Sequence, residues 1–171
     1  MDVGWALPVL WVGLGVVIVV CSLRAARSRG AYLVAVTAVS VLWVVAGAGA
    51  NGYFLVRGED YSGFADGAST GFVRETWESL VVPHHTIFIG LLIAFEAVTG
   101  ALVLVGGRIR QAVLVLLIAF NVALVSFGWG FLVWSVPLLL GLCLLWRAGR
   151  MRRGSDDRVP PAAAPRAGAV R

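Results

Sequence analysis

Between Ala112 and Trp146 the chain runs through 35 residues without a charge. As one helix at about 1.5 Å per residue this stretch would reach roughly 52 Å, well beyond a hydrocarbon core of about 30 Å. Gly128-Trp129-Gly130 and Ser135-Val136-Pro137 place turn and breaker residues inside it, so it divides into two spans, near 112–127 and 131–146. Three further apolar runs, at 5–23, 31–50 and 86–106, approach the length a membrane helix needs. With 60% hydrophobic residues in 171, the expected fold is all-α: a polytopic transmembrane bundle of five spans within residues 1–153. Nothing is left over for a soluble catalytic domain, so any chemistry sits in the bundle or at its rim.

Charge supports the same count. With the N-terminus outside, the turn at 24–30 carries +3, the turn at 107–111 carries +2, and the segment from Arg147 onward carries seven Arg against two Asp. All of these fall on one side, which the positive-inside rule assigns to the cytoplasm together with the C-terminus. The opposite side holds Asp2 and the 51–82 segment, with five acids against two Arg. The first run is read as a retained span, because Asp2 stands where a secretion signal has its basic residues and the arginines follow the run. The pI near 10.2 does not point to nucleic acid, since the arginines follow span ends without forming a basic domain. Lipid contact and orientation explain them, and the bilayer is the expected partner. From Gly154 the composition turns to Asp, Arg, Pro and Ala, as in a disordered cytoplasmic tail over 154–171. The chain has no Lys and abundant Ala, Gly, Val and Arg, a bias of GC-rich bacterial genomes, which would make the membrane a bacterial plasma membrane.

The external segment, 51–82, has a pattern of its own. Phe72, Val73, Thr76, Trp77 and Leu80 share one helical face with Arg74, Glu75 and Glu78 opposite, and Pro83 closes the pattern. This predicts a short amphipathic helix in the interface, with Trp77 and His84 as interface residues. It either packs over the bundle mouth or acts as a lid above a pocket.

Glu96 is the only formal charge in any apolar run. An ionisable group at bilayer depth is costly and faces other helices or water, which makes it a candidate site. At 100° per residue, His85, Ile89, Leu92, Glu96, Thr99, Gly100 and Val103 share one stripe. Folding the third and fourth spans as a hairpin sets Asn121 at the depth of Glu96, where an amide could satisfy the carboxyl. Glu96, Asn121, Thr99 and His85 are therefore the candidate ligand or proton site. Two readings stand open: a neutral hydrogen-bonded acid that holds helices together, or a proton-carrying or ligand-binding carboxylate.

Several chemistries are set aside. The only two His, His84 and His85, are adjacent and diverge on a helix, so they cannot clasp one haem from both sides. Cys21 and Cys143 form no Cys-x-x-Cys pair and read as packing residues. No metal set, phosphate loop or nucleophile elbow is present in the sequence, which leaves a stand-alone enzyme the least supported class. Gly47, Gly49 and Gly52 suit close helix contact.

The stretch Ile89-Gly-Leu-Leu-Ile-Ala-Phe-Glu96-Ala-Val-Thr-Gly100-Ala-Leu-Val-Leu-Val-Gly-Gly-Arg108, followed by an apolar helix, resembles the central part of DoxX-like membrane proteins over about residues 45–127. The resemblance implies a four-helix core, here the second to fifth spans, with an extra N-terminal span. It also implies an accessory subunit of a redox or quinone-associated membrane system, with a redox partner protein or a second copy of the chain as partner. No cofactor is fixed by the residues themselves; a quinone near Glu96 is the one the resemblance implies. The alternatives are a proton-coupled small-solute transporter using Glu96 and His85, and a scaffold that holds a partner through its acidic segment.

Overall fold

A computed structural model describes residues 3–156, and among these the chain is all-helical with no strand. Five helices are long and apolar enough to cross a membrane: α1 (Val3–Arg24), α2 (Arg29–Val56), α3 (Gly71–Leu102), α4 (Gly107–Phe127) and α5 (Trp129–Asp156). The expected split of the long apolar run falls at Gly128, whose φ of +111° ends α4. Pro137 lies inside α5 and does not break it. Of the expected tail, Gly154–Asp156 continue α5, and 157–171 lie outside the described residues.

Two expected boundaries move. The second span does not stop at Ala50: its helix passes through a π-helical segment, Leu42–Gly49, and continues to Val56. The stretch 72–82 is not a separate interfacial helix, because α3 runs from Gly71 to Leu102. Pro83 is accommodated in a 3₁₀ turn, Val82–His84, just after a π-helical turn, Trp77–Val81. The change of register there lets a residue with no N–H sit where a regular α-helix would lose a bond. Phe72 is 77% exposed and does not join an inward face.

Local signals explain the ends. Ser28 caps α2 by accepting from the Ala31 N–H, and Thr70 caps α3 by accepting from Val73. Gly106 and Gly107, both at positive φ, make the turn from α3 into α4. At the same end Arg110 donates to the Val103 and Leu104 carbonyls, Arg152 to Ala25, and Arg153 to Gly107. Three arginine-bearing segments thus converge on one end of the bundle, as the charge pattern requires. The other end carries the 57–70 loop, whose Ser69 N–H donates to Ser126 beside the Gly128 turn.

α1 is not an appendage to a four-helix core. It lies between α2 and α5, which otherwise meet only briefly, and α4 packs on α5 while α3 packs on the second half of α2. Small residues permit this. Gly15 lies under the Trp134 ring, Gly141 faces Ile18, and Gly100 faces Ser40, Trp43 and Val44. Val39, Val103, Leu114, Leu117, Leu142 and Leu145 fill the arginine half of the bundle. Cys21 is half-buried, whereas Cys143 is exposed.

Gly100→Leu is expected to weaken the α2–α3 seam. A Cβ there would already stand 2.6 Å from Val44 Cγ2 and 3.2 Å from the Ser40 carbonyl oxygen. Overpacking of this kind costs about 1–3 kcal/mol, read as a lowered unfolding midpoint in detergent.

Candidate functional site

The expected stripe on α3 is its buried face: Ile89, Glu96, Thr99, Gly100 and Val103 are buried, and Leu92 is half-buried. It turns toward α2. The π-helical segment of α2 sets Gly47 against the Glu96 carboxyl, where a Cβ would come within 2.8 Å of Oε1. One turn on, Asn51 Nδ2 donates to Glu96 Oε2 at 2.9 Å. A widened helical turn beside a buried carboxylate fits the tendency of π segments to occur at functional sites.

Asn121 is not the partner. It is fully buried, but Nδ2 donates back to Leu117 O in its own helix at 2.9 Å, and Oδ1 has no partner. The hairpin places the residues at similar depth, since Phe95 and Phe120 meet with centroids 5.0 Å apart. Those rings occupy the α3–α4 seam, and Glu96, rotated by one residue, faces α2. Thr99 is also committed locally, donating to Phe95 O and Glu96 O. His85 is half-buried and contacts Val82 O through Nδ1, and His84 is exposed. Neither lines the cavity described next. Of the four expected site residues, only Glu96 does.

The cavity occupies about 1170 Å³ in the loop half of the bundle and draws on all five helices. Glu96, Trp43, Ile89 and Phe120 form its closed end; Leu7, Pro8, Trp11 and Val12 of α1 form one wall. Arg57 and Glu59, both exposed, stand at its mouth. Its roof is aromatic. Phe64 from the loop stacks on Trp77 at 4.7 Å and meets Phe127 and Phe131, each at 5.1 Å. Trp77, expected at an interface, therefore closes the cavity from inside. The apolar lining with a few polar groups is that of a small-molecule site, and the volume is just above the usual range of about 300–1,000 Å³.

Tyr61 ties the roof to the floor. It holds a left-handed backbone (φ 59°), rare for a residue with a side chain. Its hydroxyl donates to Asn51 O at 3.0 Å and its carbonyl accepts from Trp77 Nε1 at 2.9 Å. Burial, then the nearby Glu59 and Glu96 carboxylates, raise the Tyr61 phenol above its ordinary pKa, so it remains a donor. Next to it, Asp60 accepts from the Ser62 N–H at 2.9 Å, which holds that carboxyl below the usual range. Asn51 and Tyr61 were not among the expected site residues. The signal for Asn51 was its position four residues after Gly47; nothing in the sequence pointed to Tyr61.

Among the described residues no group of three His, Cys, Asp or Glu could hold a metal ion. No family model, curated protein or solved structure matches the chain.

Proposed function

We propose that this is a multi-pass membrane protein that holds a small lipophile in the aromatic cavity, with Glu96 as its polar anchor. The observation that carries this reading is a carboxyl group, 4% exposed, at the inner end of a chamber walled mostly by aromatic and aliphatic side chains. An ionisable side chain buried at bilayer depth marks a functional site more often than a packing position. In this reading the arginine end faces the cytoplasm, and the protein serves as a DoxX-like accessory subunit of a quinone-associated system, with a redox partner protein or a second copy alongside.

Proton-coupled transport has less support. His85 does not line the cavity, and the cavity lining does not extend past Glu96 into the arginine half, where Val39, Val103, Leu114 and Leu117 are buried. A pure scaffold role leaves the cavity without a purpose.

Native mass spectrometry with lipid extraction, on protein gently purified from its own membrane, tests the proposal. Wild type is expected to retain a quinone or another small lipophile that Glu96→Gln loses. Bulk phospholipid alone in both samples would remove the main support for a ligand site.

A further inference from the structure

The polar groups of the chamber are unevenly matched. At the Glu96 end most donors are spent: Trp11 Nε1 on Ala46 O, the Tyr61 hydroxyl on Asn51 O, and one of the two Asn51 amide N–H groups on Glu96 Oε2, while the Arg57 guanidinium and the Tyr53 hydroxyl, which also line the cavity, belong to exposed residues. The indole N–H groups of Trp43 and Trp134 lack partners but are sealed within the helix packing. The acceptors are not spent. Glu96 Oε1 and Asn51 Oδ1 accept no hydrogen bond from the described residues, and neither is among the sealed polar atoms. Both side chains line the cavity.

We infer that the occupant carries a hydrogen-bond donor, an O–H or N–H, at its polar end and presents it to Glu96 Oε1, with its apolar body among the rings above. The inference rests on the lipophile-site reading and refines it. With Glu96 ionised, its donor-less Oε1 is the costliest polar atom the chamber exposes, and a donor-ended ligand removes that cost. A ligand ending in a carbonyl or an ether adds another acceptor beside two that are already open. Within the quinone class, the site then prefers the reduced, hydroxyl-bearing form to the oxidised one. A hydroxyl and an ammonium share the required chemistry, and the test separates them.

The full-length protein in nanodiscs is titrated with octylphenol, its methyl ether octylanisole, and octylbenzylamine, with the cavity tryptophans as the fluorescence reporter. The phenol differs from the ether only in its donor. A hydrogen bond to a charged group is worth about 1.5–3 kcal/mol, so the phenol is expected to bind wild type at least ~10-fold more tightly than the ether. Glu96→Gln should bring the two within about threefold, since an amide can offer either its N–H or its oxygen. The wild-type comparison stands even if that variant fails to fold. Amine binding that exceeds phenol binding identifies an ammonium as the donor; the reverse identifies a hydroxyl. Equal binding of phenol and ether to wild type overturns the donor requirement and leaves a lipophile site in place. If none of the three binds, the lipophile site falls as well.

Discussion

Replacing Gly128 by alanine is expected to cost more stability than any other single methyl added to this chain. Gly128 has φ +111° and ψ −170°, a region essentially closed to residues with a side chain. A Cβ there would also run into the backbone carbonyl of Gly67, and backbone cannot swing aside as a flexible side chain can. Strain of about 1–3 kcal/mol from the dihedrals alone, with the clash added, brings the loss to about 3 kcal/mol or more. The turn between α4 and α5 and the loop that roofs the cavity would separate together, because Ser69 is bonded to Ser126 beside the same contact. Gly130 is the control. A Cβ there meets nothing within 4 Å, and alanine inside a helix is favoured over glycine by about 1 kcal/mol. Unfolding midpoints of the two variants check this; a Gly128→Ala protein as stable as wild type would show that the close Gly67–Gly128 approach is not kept in the membrane.

The second large effect separates two asparagines that look equivalent by composition. Asn51→Leu takes away the only donor to the Glu96 carboxyl among the described residues, and leaving a buried polar group unsatisfied costs about 1–3 kcal/mol. Asn121→Leu removes an amide whose N–H serves its own helix and whose oxygen is already buried without a partner. That loss should stay within about 1 kcal/mol and could stabilise, because an unsatisfied acceptor goes with it. Reversible unfolding of both variants, alone and combined with Glu96→Gln, gives the coupling directly. Strong coupling of Glu96 to Asn121 and none to Asn51 would overturn the site as described.

The fate of Asn121 also shows where a sequence stops being legible. Span number, the division of the 112–146 run and the gathering of arginines at one end follow from hydropathy and charge, which are properties of segments. The buried stripe on α3 follows from periodicity, a property of one helix. Which helix that stripe faces depends on how two helices rotate against each other, and the depth argument that set Glu96 level with Asn121 carried no rotation. Phe95 and Phe120 took the α3–α4 seam, and Gly47 opened room for the carboxyl on α2. Composition hid Asn51 for a second reason: Asn and Gly read as a span end, while the π segment carried the helix two turns further. Tyr61 and the aromatic roof come from a loop, where no periodicity exists to be read.

The guanidinium groups at the far end of the bundle have a second use beyond charge. Arg110 spans two carbonyls left open as α3 ends, and both its Nε and its Nη2 take part; Arg152 places two nitrogens on the single carbonyl of Ala25. A lysine would carry the same charge to the same place, but a lone ammonium at the tip of a flexible stem lacks the planar fork that makes both contacts at once. The chain has fourteen arginines and no lysine. The groups that would bias insertion are therefore also the clasps that hold the helix ends together, so orientation and closure of the bundle cannot be adjusted independently by exchanging one basic residue for the other.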